Sequence, residues 1–128
     1  MLNRASIPWN GKTLHSQMTK GNLVFDNPVQ RGLVWDKKKQ SLLVDTILNN
    51  FLIPPFVFVK KDGNYDCLDG KQRSHAIFNF IEGNYKLTGI GLVKDDEGKE
   101  LDFNGKCFNE LPEWAQDRIK DYSLSMLS

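Results

Sequence analysis

Two stretches of the chain repeat apolar residues at helical spacing, and the runs around them are short and β-branched or alternating. In the run that starts KKKQSLLVDTILNN, Leu43, Ile47 and Phe51 recur at every fourth position with Leu42 beside them. That spacing predicts an amphipathic helix ending near Asn49-Asn50, with Asp36 as its N-cap and Ile53-Pro54-Pro55 barring its continuation. A second stripe, Ala76, Ile77, Phe80 and Ile81, predicts a helix over Gly70 to Glu82 that Gly83-Asn84 terminates. Between them, Phe56-Val57-Phe58-Val59 and Tyr65 to Leu68 read as strands of a hairpin turned by Lys60-Lys61-Asp62-Gly63-Asn64. Leu23-Val24-Phe25 reads as a short strand closed by Asp26-Asn27-Pro28, and Val29 to Trp35 as an irregular stretch. Lys94 to Lys99 is a charged turn, a third helix lies within Phe108 to Asp121, and Tyr122 to Leu127 alternates like a strand. The fold class is α+β, a small mixed β-sheet with flanking helices.

No repeat or low-complexity linker divides the chain, so residues 1–128 read as one domain with a modest core. The final alternating run stops where a fold ordinarily continues, as in a truncated or minimal form. No apolar run is long enough for a membrane span, and the amino terminus lacks the apolar segment of a secretory signal. Cys67 and Cys107 lack CxxC spacing and fit reduced thiols in a cytoplasm; His15 and His75 form no metal-ligand pattern. A net charge of +1 permits DNA as a partner without demanding it, and the clusters Lys37-Lys38-Lys39 and Lys60-Lys61 read as solvated surface.

Chemistry concentrates where the second strand of the hairpin meets its helix, in CLDGKQRSHA. The first turn of a helix carries unpaired N–H groups and a partial positive charge, so it favours an anion. Gly70 lets a ligand approach the backbone. Lys71 adds a point charge, Gln72 an amide and Arg73 a planar guanidinium suited to phosphate. Asp69 caps the helix, holds Arg73, or binds a metal ion; an ordinary cap with a solvated first turn is the plain alternative. A second amide–guanidinium pair, Gln30-Arg31, follows Asn27-Pro28 and precedes a helix, so the two pairs can converge on one polar site. Trp35 beside it stacks on a base or, better, packs in the core.

With these residues in view, the chain resembles the ParB/sulfiredoxin-like superfamily, and most closely the amino-terminal domain of GmrSD-type restriction systems. The likeness runs from about Leu14 to Tyr122. It rests on QRGLVW (Gln30 to Trp35), SLLVDTIL (Ser41 to Leu48), IPPF (Ile53 to Phe56) and YDCLDGKQRSHAIFNF (Tyr65 to Phe80). The family's junction reads Asp-Gly-Gln-Gln-Arg, and Lys71 stands here for the first glutamine. The resemblance implies a ParB/sulfiredoxin-like fold with a nucleotide seated at the junction helix. It also implies an NTP-binding, NTP-hydrolysing domain that regulates a separate nuclease domain or subunit in DNA restriction and phage defence. Gln30, Arg31, Gly70, Lys71, Gln72 and Arg73 would then bind the nucleotide, and Asp69 would be catalytic or hold Mg²⁺. The sulfiredoxin catalytic cysteine falls at the position of Lys71, so sulfinic-acid reduction does not carry over, and no nuclease motif is present. A non-catalytic DNA-sensing or protein-docking module on the same fold is the alternative.

Overall fold

The computed structural model describes residues 6–25 and 35–127. Strand β1 (Ser6–Asn10) leads into helix α1 (Gly11–Thr19), followed by strand β2 (Leu23–Val24) and helix α2 (Lys37–Leu48). Strands β3 (Phe56–Lys61) and β4 (Asn64–Asp69) form the hairpin, and helix α3 (Lys71–Ile81) follows at once. A two-stranded ribbon, β5 (Val93–Lys94) with β6 (Glu100–Leu101), precedes a 3-10 turn at Phe108–Glu110, helix α4 (Glu113–Lys120) and strand β7 (Ser123–Leu127). The main sheet is mixed, in the order β1-β7-β3-β4-β2. Its β1–β7 and β3–β4 pairs are antiparallel, and its β7–β3 and β4–β2 pairs parallel. The α+β class expected from the pattern is thus observed.

Each predicted helix forms for the reason its sequence offers. Asp36 caps α2, its carboxylate accepting from Lys39 N–H at 2.8 Å, and Leu43, Val44, Ile47 and Leu48 are buried along it. Phe51 does not extend that stripe. The helix stops at Leu48, Asn50 turns to φ 57°, and the Phe51 side chain is 66% exposed. The hairpin turns at Asp62 and Gly63, both with positive φ (51° and 83°), the geometry that suits a two-residue connection between right-twisted strands. Both basic clusters face solvent as expected. Strand β1 and helix α1 were not anticipated, because SIPWNGKTLHSQMT has no apolar period: α1 buries only Gly11 and Leu14. Its one local sign is Asn10, whose side chain accepts from Thr13 N–H at 2.8 Å. Pro8 is tolerated because β1 is an edge strand.

The buried side chains form one cluster running from Trp9 and Leu14 through Phe56, Phe58 and Phe80 to Ile119 and Leu124. Helix α3 packs against α1 and α2, and α4 against both as well. Arg118 of α4 ties three elements together. Its guanidinium donates to Leu48 O at the end of α2 (3.1 Å) and to Lys94 O (2.6 Å), pairs with Asp96 (2.8 Å), and lies over the Trp114 ring.

The core reaches the strand-to-helix junction through Phe56. The ring is fully buried, and it fills the space beside Gly70 where a Cβ would stand only 2.5 Å from Phe56 Cδ2. Gly70 also sits at φ 113°, a conformation that L side chains rarely adopt. Gly70→Ala is therefore expected to lose about 3 kcal/mol, combining a strained backbone with overpacking. A denaturant titration tests this, and a midpoint equal to that of the wild type would contradict it.

Cys67 lies on β4 with no exposed surface, and burial, then the neighbouring Asp69 carboxylate, push its thiol up to about 12. Because the folded value exceeds the ordinary 9.0, this thiol favours the native state fully below pH 9 and less as pH climbs toward 12. At pH 8 iodoacetamide should label only the half-buried Cys107 of the native chain, and both cysteines after denaturation. Two labels on the native chain would refute the placement of Cys67.

Candidate functional site

The junction is built by a register shift. Val57 pairs with Asp69 and Phe58 with Cys67, so Leu68 is the extra residue of a bulge in β4. Bulges bend a strand and re-aim the side chains beside them. Here the bend carries Asp69 out of the sheet, its side chain 67% exposed, and delivers the chain to α3. Gly70 occupies the N-cap position and supplies no side-chain hydrogen bond to the helix. Of the roles open to Asp69, capping α3 is thus ruled out: the cap lies one residue later, in a residue without a side chain. Asp69 instead faces Arg73, carboxylate to guanidinium 3.7 Å, one helical turn on. The opening that a glycine was expected to offer a ligand is also taken, because the Phe56 ring occupies it.

Arg73 is turned back toward the sheet. It donates to Pro55 O at 3.0 Å, its guanidinium carbon lies 5.1 Å from the Phe56 ring centroid, and its side chain is only 14% exposed. Among the described residues its buried Nε finds no hydrogen-bond partner, nor does the buried hydroxyl of Ser74. The motif IPPF thereby meets the motif DGKQR directly, through one carbonyl and one ring.

Gln72 points the other way, toward the segment that precedes α2. Its Oε1 accepts from Trp35 N–H at 3.2 Å, while Nε2 of Gln40 donates to Trp35 C=O at 2.9 Å. The backbone of one residue is therefore held at both its N–H and its C=O by amides from two helices. The Trp35 ring packs partly buried against the core, with Lys39 Nζ 4.9 Å from its centroid. Beside this clamp lies a cleft of about 220 Å³ lined by Gln40, Lys71, Gln72, His75 and Asn79. His75 Nδ1 lies 2.8 Å from Lys71 O, and its ring stacks at a tilt on Phe25, centroids 4.6 Å apart.

Of the residues expected at a nucleotide site, Lys71 and Gln72 come together on this cleft, whereas Asp69 and Arg73 form their own pair facing Pro55. Asn27, Pro28, Gln30 and Arg31 lie outside the described residues. Gln40, His75 and Asn79 were missed. The sign was present, since Lys71, His75 and Asn79 recur at four-residue spacing as a polar stripe beside the apolar one on α3. Gln40 has no such sign, because only the packing of α2 on α3 brings it there. Among the described residues no three His, Cys, Asp or Glu side chains converge as a metal site, and no helix is long and apolar enough to cross a membrane.

No curated protein and no solved structure matches the chain. One family model does, that of the GmrSD restriction endonuclease N-terminal domain, over residues 12–128. The match takes in the β3–β4 hairpin, the bulged junction, the Trp35 clamp and the whole of α3. The chain belongs to the GmrSD restriction endonuclease N-terminal domain family.

Proposed function

We propose that this domain binds a nucleoside triphosphate at the amino end of α3 and hydrolyses it to regulate a separate nuclease domain or subunit of a DNA restriction system. The observation that carries the reading is the uncapped start of an 11-residue helix whose first residue, Lys71, stands beside a polar-lined cleft. Gly70 gives the helix no side-chain cap, so the first-turn amides are offered to an outside acceptor, and Lys71 lines the adjoining cleft. Lys71 supplies the point charge for a phosphate, and Gln72 orients the segment leading to α2 through Trp35. Arg73 holds the junction in shape from behind and keeps Asp69 at the rim. Gln30 and Arg31 complete the phosphate contacts in this reading. Mg²⁺ arrives with the triphosphate and needs few protein ligands, so the single exposed carboxylate of Asp69 suits it. When bound, the ion would neutralise developing charge on the phosphates.

One observation favours the protein-docking alternative. Phe51 and Leu52 are 66% and 93% exposed at the lip of a groove that also includes Lys94, Asp96 and Arg118. Such apolar side chains at a groove suit a protein partner.

Lys71 and Arg73 separate binding from architecture. Lys71→Ala removes a charged hydrogen-bonding group from the surface of the cleft, which should weaken triphosphate binding by roughly 10- to 150-fold, about 1.5–3 kcal/mol, with the melting temperature nearly unchanged. Arg73→Ala should instead lower stability by about 1.5–3 kcal/mol, since it strands Pro55 O and uncovers Phe56. Calorimetric titration with the four NTPs in Mg²⁺, beside thermal unfolding, checks both. Lys71→Ala with unchanged affinity would remove the phosphate contact from the reading.

Asp69→Asn tests hydrolysis. It removes a carboxylate that makes no cap, so the fold and nucleotide affinity should survive while phosphate release falls at least tenfold. Equal release by wild type and variant would take Asp69 out of the mechanism.

A further inference from the structure

Resting on the nucleotide-binding reading, we propose that the cleft between α2 and α3 holds the edge of the nucleobase, with the triphosphate lying outside it toward Lys71. At about 220 Å³ the cleft is smaller than the roughly 300–1,000 Å³ of sites that enclose a whole small-molecule ligand, so it takes one part of a nucleotide. Its hydrogen-bonding character decides which part. Trp35 fixes both glutamines, because an N–H must meet an amide oxygen and a C=O must meet an amide nitrogen. The polar end that Gln72 retains is therefore its donor Nε2, and the end that Gln40 retains is its acceptor Oε1. His75 is fixed in the same way. Lys71 O can only accept, so Nδ1 carries a proton, and in that tautomer Nε2 is the acceptor.

Among the residues that line the cleft, Gln40 Oε1 and His75 Nε2 are thus left as acceptors, and Gln72 Nε2 and Lys71 Nζ as donors. Phosphate oxygens only accept, and against those two atoms they would set lone pair on lone pair. A base edge carries a donor next to an acceptor, the pattern that side-chain amides read in pairs. The cleft matches that pattern and rejects bare phosphate. The His75 ring, which lines the cleft and leans on Phe25, adds an aromatic surface on which a base can stack. The division of labour follows from this: Lys71 and the helix amides take charge, while Gln40, Gln72, His75 and Asn79 take the neutral end.

The test compares the four NTPs, their 2′-deoxy forms and inorganic tripolyphosphate by calorimetric titration in Mg²⁺. At least one NTP should bind about tenfold or more tightly than tripolyphosphate, with its deoxy form within about threefold of it. His75→Phe removes an acceptor and fills the cleft. Asn79→Leu replaces a second polar lining group at a half-buried position, a second variant should the first unfold. Each should erase most of the preference for NTP over tripolyphosphate and leave tripolyphosphate affinity within about twofold. Equal affinity for NTPs and tripolyphosphate would overturn the cleft assignment while the phosphate site stands, and so would folded variants that keep the full preference. Loss of the preference on removing the 2′-hydroxyl would assign the cleft to the sugar and overturn base recognition. Binding of neither NTP nor tripolyphosphate would overturn the nucleotide reading, and this inference with it.

Discussion

The Phe56 ring, closed between Gly70 and Arg73, is the contact on which the rest of the structure turns. It is fully buried at the start of β3, and it sits where any side chain at residue 70 would collide with it. Two constraints meet at Gly70: a positive φ that only glycine adopts without strain, and a missing Cβ that gives the ring its place. Arg73 lies over the ring and reaches Pro55 O, so the segment entering β3 and the first turn of α3 are fixed to each other. The axis of α3 relative to the sheet follows from this arrangement, and with it the position of everything α3 carries.

From that fixed axis the two faces of α3 do different work. Ala76, Ile77 and Phe80 enter the common core between α1 and α2. Lys71, His75 and Asn79 line the cleft on the side of α2, and Gln72 and Gln40 span it to hold Trp35. These polar side chains are thereby placed on packed helices rather than on loops, which limits how far their donors and acceptors can wander. Helix α2 is secured independently at its far end, where Arg118 donates to Leu48 O and interacts favourably with the negative end of the helix dipole. The cleft is the space between two elements anchored at different points, α3 on the sheet and α2 on α4.

The residue types at the junction therefore have roles other than their chemistry alone suggests. A glycine before a row of donors reads naturally as room for a ligand, yet here the room is taken by an aromatic ring. A guanidinium reads as a phosphate grip, yet it is mostly buried against a carbonyl and a ring. An acid before a helix reads as a cap or as a partner for the arginine one turn on, and the bulge at Leu68, which displaces it from the cap, leaves it facing that arginine.

What the sequence by itself determined was set by local physics. The stripes of α2 and α3, the Asp36 cap, the Asp-Gly hairpin turn and the strand before the junction each depend on residues a few positions apart, so they are legible one segment at a time. Helix α1 was not legible, because its stability comes from the close approach of Gly11 to the Ile119 carbonyl and from the burial of Leu14. Strand β1 likewise exists through its pairing with β7, at the opposite end of the chain. The register shift that displaced Asp69, the Phe56 ring beside Gly70 and the arrival of Gln40 opposite Lys71 are contacts between distant segments. Only the tertiary structure decided them, because a hydrogen-bonding side chain carries no record of which partner packing will bring within 3 Å of it.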